Sequence, residues 1–160
     1  MNTKIPARVV LSNPLHLLAF GFGSGLAPKA PGTFGTLVAV PLYLLIADFS
    51  LPIYLTVCFA TALFGIYLCD YSSRQLKVHD HPGIVWDEIV GFFITMAGFS
   101  ASWQNILLGF ILFRFFDIIK PWPIKWADSK VKGGFGIMLD DVIAGGFAWL
   151  VLLGIHWLWF

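Results

Sequence analysis

Charged residues are scarce in this sequence. Asp, Glu, Lys and Arg together make up 12% of the 160 residues, whereas 58% of the residues are hydrophobic. Soluble globular domains average about 25% charged and roughly 45–50% apolar residues. The shortage of charge excludes an ordinary soluble domain. Together with a mean hydropathy of +0.82, it predicts a single integral-membrane domain over residues 1–160.

A surplus of positive charge is also missing, and cysteine is nearly absent. The formal net charge is +1, which argues against a nucleic-acid partner because binding to phosphate backbones needs a basic surplus. The two cysteines, Cys58 and Cys69, lie in one apolar stretch and match no disulfide or metal spacing. We therefore predict that both are buried as small apolar side chains.

The apolar residues fall into runs that predict an all-α, polytopic membrane helix bundle with about five spans. Residues 15–35 are too interrupted by Gly and Pro to cross a bilayer, so we expect a short helix and loop at the membrane surface or re-entering it. The expected spans follow at about 34–47, 51–69, 88–103, 104–119 and 140–160.

The basic residues predict the orientation of these spans, because Lys and Arg are retained on the cytoplasmic side. With the N-terminus inside, the loops at 70–87 and 120–139 carry basic residues, while the outer turns at 48–51 and 100–105 carry none. Arg114 is the exception, since it lies within a span near the cytoplasmic end. This pattern predicts five spans with the C-terminus outside.

The same arrangement brings carboxylates from three spans to one depth of the membrane. Asp87 and Glu88 begin the third expected span, Asp117 nears the end of the fourth, and Asp140 and Asp141 begin the last. An ionisable residue inside a span costs roughly 2.5–3.5 kcal/mol, so such a cluster is normally functional. Because the carboxylates would repel one another, we expect a divalent cation, and oxygen ligands favour Mg²⁺.

Two simpler interpretations stay open. The helix dipole favours acids at a helix N-terminus, which could account for either acidic pair but not for Asp117. Arg114 and Asp117 could form only a structural salt bridge. However, Arg114, Asp117 and Lys120 fall within about 120° of one another on one helical face, which resembles an anion site beside a metal ligand.

The loops contribute further candidates. After the proline-terminated fourth span, Asp128 is either a solvated acid or another ligand, and Gly133, Gly134 and Gly136 would let the backbone approach a ligand closely. In the stretch APKAPGTFGT, Lys29 and Thr33 could donate to phosphate oxygens beside backbone amides, although an interfacial loop is the alternative.

A histidine-rich stretch lies between the second and third expected spans. His79, Asp80 and His81 read HDH, which could suggest zinc. No partner pair stands at ligand spacing, so we expect these histidines to be solvated.

Four motifs together resemble the phosphatidylglycerophosphatase A family, over a region from about Asn13 to the last span. They read GFGSGLAPKAPGTFGT, VHDHPGIVWDEIVG, FRFFDIIKPWPIKWAD and GGFGIMLDDVIAG. The resemblance implies a Mg²⁺-dependent phosphatase of the bacterial inner membrane that converts phosphatidylglycerophosphate to phosphatidylglycerol and phosphate. The positions that match the family motifs are Asp87, Glu88, Arg114, Asp117, Lys120, Asp128, Asp140 and Asp141.

Other phosphatase mechanisms lack their motifs here. Cys69 is followed by Arg74, one residue short of the Cys-x5-Arg loop of cysteine phosphatases, and the sequence has no DxDx[TV], PSGH or DGxxAR motif. What remains is attack by a metal-activated water. We expect Glu88, Asp117 and one or both of Asp140 and Asp141 to hold Mg²⁺, with Asp128 as a further candidate. The phosphate would meet Arg114, Lys120 and Lys29, and the general base would be Asp87 or Asp141.

Two other classes of protein remain possible. A small ion or proton transporter would also carry ionisable groups in its spans, but these should continue to both faces, and the outer halves here are almost uncharged. A non-catalytic lipid-binding subunit would need the basic loops and aromatic residues but not the carboxylates. Metal-dependent turnover would separate an enzyme from both.

Overall fold

The computed structural model describes residues 5–159 as an assembly of helices, and no strand occurs in that range. The order of elements agrees with the predicted all-α class. Eight α-helices and one 3-10 helix follow in chain order: α1 (Ala7–Leu11), α2 (Pro14–Ala19), the 3-10 helix (Gly21–Leu26), α3 (Pro31–Ile46), α4 (Leu51–Leu76), α5 (Trp86–Thr95), α6 (Trp103–Ile119), α7 (Ile124–Lys130) and α8 (Gly133–Trp159).

Helices α5 and α8 form the centre of the bundle. Helix α8 packs against α4, α5, α6 and α7, and α5 also contacts α3, α4 and α6. The apolar side chains of α5, among them Ile89 and Phe92, are almost completely buried. A Cβ atom on Gly145 would lie 2.5 Å from the carbonyl oxygen of Gly91. Glycine at this crossing therefore lets the two central helices approach at backbone distance.

Two of the described helices, α4 and α8, are long and apolar enough to cross a membrane. Helix α3 has 16 residues, α6 has 17 and α5 has 10, so at 1.5 Å per residue they reach about 24, 26 and 15 Å. A hydrocarbon core is about 30 Å thick. The five predicted spans are therefore not confirmed by helix length, and their number stays a prediction.

The beginning of α8 differs from the prediction. The helix starts at Gly133 rather than near residue 140, and a Cβ atom on Gly134 would lie 2.0 Å from the carbonyl oxygen of Ile66 in α4. The expected glycine-rich loop for a ligand is thus wrong, because its glycines bring α8 against protein backbone. Asp140 and Asp141 consequently lie about two turns inside α8, where the helix-dipole interpretation no longer applies.

The N-terminal segment forms short helices, as expected from its Gly and Pro content. The side chain of Asn13 caps α2 by accepting a hydrogen bond from the Leu15 amide at 2.9 Å. His16 Nδ1 lies 3.0 Å from Ser72 Oγ, which fixes α2 to α4. Both cysteines, Cys58 and Cys69, are buried and free, so that prediction is confirmed.

Candidate active site

The polar residues singled out in the sequence meet at a cavity of about 230 Å³, which we call the acidic cavity. The first turn of α3, the first turn of α5, the end of α6 and the third turn of α8 surround it. Its charged lining residues are Asp80, Asp87, Glu88, Arg114, Asp117, Lys120, Asp140 and Asp141. These charged residues come from α5, the end of α6, α8 and the loop before α5, so the cavity combines carboxylates with two cations from four parts of the chain.

The start of α5 is fixed from two sides, which determines where its acidic pair lies. The Val85 amide donates to the Ala19 carbonyl at 2.9 Å, and the Trp86 indole donates to the Thr61 carbonyl of α4 at 3.1 Å. These bonds anchor the residues just before Asp87 and Glu88. The acidic pair thus enters the cavity from a rigid helix terminus.

Three carboxylates form the most compact group in the cavity. Asp87, Glu88 and Asp141 each offer an oxygen atom, and these atoms all lie within 4.8 Å of one another. One oxygen of each side chain is buried without a hydrogen-bond partner, namely Asp87 Oδ1, Glu88 Oε2 and Asp141 Oδ2. Unpaired buried charges are costly unless a counter-ion binds them. The group therefore fits a hard divalent cation such as Mg²⁺.

Arg114 faces this group from α6. Its guanidinium forms an ion pair with Asp117, one turn further along the helix, and its Nη1 atom lies 3.9 Å from Glu88 Oε1. The Nε atom is buried and has no hydrogen-bond partner. The predicted salt bridge therefore exists, but Arg114 also borders the carboxylate group and keeps a donor for an anion.

Lys120 joins two elements at the edge of the cavity. Its Nζ atom lies 2.7 Å from Asp128 Oδ1 in α7 and 2.7 Å from Asp140 Oδ2 in α8. Burial lowers the pKa of Lys120, but these two hydrogen bonds outweigh burial and leave the pKa above its usual value. Lys120 is therefore a stable cation that holds α7 and α8 together, and Asp128 lies outside the cavity lining.

Gly32 closes the cavity from the side of α3. A Cβ atom at this position would lie 2.3 Å from Glu88 Oε1 and 3.1 Å from both terminal nitrogens of Arg114. The neighbouring candidates are placed differently: Thr33 is half-buried and Lys29 is exposed, and neither lines the acidic cavity. The APKAPGTFGT motif thus contributes backbone at the site.

The HDH stretch contains a cavity residue that sequence reasoning missed. Asp80 lines the acidic cavity, whereas the exposed His79 accepts a hydrogen bond at Nε2 from the Gly133 amide at 3.0 Å. Among the described residues, the candidate metal group consists of carboxylates alone. A signal was present in the sequence, because Asp80 lies in the same motif as Asp87 and Glu88.

Comparisons with known proteins identify the family of this chain. The profile of a family described as Phosphatidylglycerophosphatase A matches residues 17–156. A phosphatidylglycerophosphatase A of Escherichia coli is 45% identical over 94% of this chain and 90% of its own length. The Haemophilus influenzae protein of the same name is 49% identical over 94% of this chain and 93% of its own length.

A more distant relative carries a different name. A Bacteroides thetaiotaomicron protein, provisionally named a phosphatidylinositol-3-phosphatase, is 32% identical over 88% of this chain and 92% of its own length. No solved structure matches the chain. The family profile covers nearly the whole acidic cavity and the helices around it, and this chain belongs to the phosphatidylglycerophosphatase A family.

Proposed function

We propose that the protein hydrolyses the terminal phosphate monoester of phosphatidylglycerophosphate to give phosphatidylglycerol and inorganic phosphate. Membership of the family and the names of the two bacterial relatives support this activity. The observation that carries the proposal is the compact carboxylate group of Asp87, Glu88 and Asp141 facing Arg114 in one cavity. A metal site beside a phosphate-binding cation is the combination that phosphoryl transfer to water needs.

The carboxylate group is the proposed Mg²⁺ site. Glu88, Asp141 and Asp87 would supply oxygen ligands, because their unpartnered oxygens lie close together and are shielded from solvent. When bound, Mg²⁺ would polarise the phosphoryl oxygens and lower the pKa of a water molecule. Asp117 and Asp140 border the same cavity but already face cations. Their direct ligation stays a prediction. The predicted general base, Asp87 or Asp141, would be whichever of these two carboxylates the metal leaves free.

The two cations of the cavity have different proposed roles. Arg114 would bind the phosphate directly, because its buried Nε atom has no partner and its planar fork suits a phosphoryl group. Lys120 is already bound by two carboxylates at 2.7 Å each. It would therefore act mainly by keeping Asp140 and α7 in position and by adding positive charge at the edge of the cavity.

We propose that the acidic cavity lies at the cytoplasmic edge of the bacterial inner membrane. The cavity is at the end of the bundle where α4 finishes and α8 begins, and the basic loops predicted to be cytoplasmic are at that end. Trp122 and Trp126 are largely exposed there, which suits the interfacial region of a bilayer. The acyl chains would remain in the membrane while the polar headgroup enters the cavity.

One assay separates this function from a transporter or a non-catalytic lipid-binding protein. The purified protein is mixed with phosphatidylglycerophosphate in detergent micelles, and phosphate release is measured with Mg²⁺ and with excess EDTA. We expect release only with the metal, and a Glu88→Gln variant should be nearly inactive. Full activity in EDTA would contradict the metal-dependent mechanism. No release under any condition would contradict the proposed function itself.

A further inference from the structure

A second cavity, of about 500 Å³, adjoins the acidic cavity. The two cavities share Ala30, Pro31 and Pro82 in their linings, so they lie on either side of one rim. The second cavity contains none of the carboxylates of the first. It therefore offers a volume without negatively charged side chains next to the acidic cavity.

The walls of the second cavity are held by backbone contacts. A Cβ atom on Gly25 would lie 1.9 Å from the Gly83 carbonyl oxygen, so the 3-10 helix and the loop before α5 touch at backbone distance. The Gly83 amide donates to His81 Nδ1 at 2.9 Å, which fixes the imidazole ring in the lining. These contacts indicate a preformed cavity with polar groups in its wall.

A lysine stands beside this second cavity and not in the first. Lys29 lies between Pro28 and Ala30, which both line the second cavity; its own side chain is exposed and is not part of that lining. It forms no ion pair with any residue in the described range 5–159. Arg114 and Lys120, by contrast, both belong to the acidic cavity and face carboxylates. Among the described residues, Lys29 is therefore a cation without an ion pair whose flexible side chain can reach an anion at the edge of the second cavity.

The substrate of the proposed function carries such a second anion. One glycerol unit separates its terminal monoester from an internal phosphodiester, and the phosphodiester is absent from lipids whose monoester is attached directly to diacylglycerol. The proposed metal site and Arg114 would already be occupied by the terminal monoester, so the carboxylates that remain in the acidic cavity would repel the phosphodiester. A monoester bound beside Arg114 thus requires a different position for the rest of the headgroup.

We propose that the second cavity receives the glycerol and internal phosphodiester of the headgroup, and that Lys29 binds the phosphodiester. This inference rests on the proposed function. It makes Lys29 a residue that determines headgroup specificity, whereas the carboxylates and Arg114 act on the monoester that all such lipids share. The shared rim at Pro31 and Pro82 would then lie beside the glycerol unit.

The test compares Lys29→Gln with Lys130→Gln, a matched loss of charge at an exposed lysine of α7. Rates are measured at fixed micelle composition on phosphatidylglycerophosphate and on phosphatidic acid, which lacks the phosphodiester. Phosphatidic acid serves as a competitive inhibitor where its turnover is too slow to follow. We expect Lys29→Gln to raise KM for phosphatidylglycerophosphate about tenfold at nearly constant kcat. The KM of phosphatidic acid, or its inhibition constant where it serves as the inhibitor, should stay unchanged. Lys29→Arg should restore most of the affinity, and Lys130→Gln should match the unmodified protein.

Two outcomes would overturn the inference. An unchanged KM in Lys29→Gln would show that Lys29 does not bind the headgroup. An equal loss of affinity for both lipids would show that Lys29 binds the monoester or acts only through its general charge. In either case the unmodified protein would still release phosphate from phosphatidylglycerophosphate. Failure of the proposed function would instead appear as an absence of that release.

Discussion

Nη1 of Arg114 in α6 lies 3.9 Å from Oε1 of Glu88 in α5, and the backbone of Gly32 in α3 covers both side chains. Three helices that are distant in sequence therefore meet at one carboxylate and one guanidinium. Because protein interiors have little free volume, a small change at any of the three positions should alter the distances at the other two.

Replacing Gly32 by alanine should impair catalysis more than stability. The new Cβ atom would lie 2.3 Å from Glu88 Oε1, so the carboxylate or α3 must move. We expect kcat/KM to fall at least about tenfold, which corresponds to about 1.4 kcal/mol of transition-state stabilisation. Gly154→Ala is the control, because nothing lies within 4 Å of its Cβ position. Equal activity of the two variants would contradict this account of α3.

Removing the guanidinium of Arg114 should have a larger effect. Arg114→Gln eliminates a buried cation that would stabilise phosphoryl charge, and the loss of one such group lowers kcat by about 10²–10³-fold in other enzymes. The control is Arg74→Gln, since Arg74 is 78% exposed and pairs only with Asp70 one turn away on α4. We expect that control to stay within about twofold of the unmodified protein. Steady-state phosphate release from both variants provides the comparison.

The carboxylate group should determine the affinity for Mg²⁺. In Asp141→Asn, the concentration of Mg²⁺ for half-maximal activity should rise at least about tenfold, because even residues outside the first ligand shell change metal affinity by 10–100-fold. Direct Mg²⁺ titration by calorimetry on the unmodified protein and the variant measures the same effect without turnover. Asp48→Asn, at an exposed position in the turn between α3 and α4, should bind Mg²⁺ normally. Unchanged Mg²⁺ binding in Asp141→Asn would place the metal elsewhere.

Lys120 should matter for stability as well as for activity. Lys120→Met removes two hydrogen bonds of 2.7 Å and leaves Asp140, whose side chain is 8% exposed, without its cation. We expect the free energy of unfolding to fall by about 2 kcal/mol. Thermal unfolding in detergent should show this loss as a lower Tm. Arg74→Met, which breaks an exposed pair, should cost less than about 1 kcal/mol. If both variants unfold at the same temperature, Lys120 does not join α7 to α8.

The helices were largely predictable because their apolar runs are long, and the acidic motifs identified the charged residues of the cavity except Asp80. Which of those residues group together as metal ligands and which form ion pairs was not predictable. Sequence spacing placed Asp117 among the metal ligands and Asp87 among the bases, whereas the coordinates pair Asp117 with Arg114 and group Asp87 with Glu88 and Asp141. Such pairings depend on how α5, α6 and α8 cross, which periodicity within one helix does not describe.

One error in element boundaries involves glycine. Gly133, Gly134 and Gly136 were expected in a loop whose backbone could approach a ligand closely, although glycine is also a poor helix former in isolation. In the bundle, the missing side chain of Gly134 lets α8 pack against the carbonyl of Ile66, and this packing outweighs the local preference. Small residues within an apolar segment are also typical of helix contacts in membranes. The same glycines therefore also predict a close helix–helix contact.

Because α8 starts at Gly133, the number of residues in its first two turns determines where its carboxylates lie. Gly134 is fixed against α4, and Asp140 and Asp141 lie further along the same uninterrupted helix. One residue inserted between them would rotate both carboxylates by about 100° around the helix axis and away from the cavity. Apolar side chains in this segment could therefore be exchanged more freely than a single residue could be gained or lost.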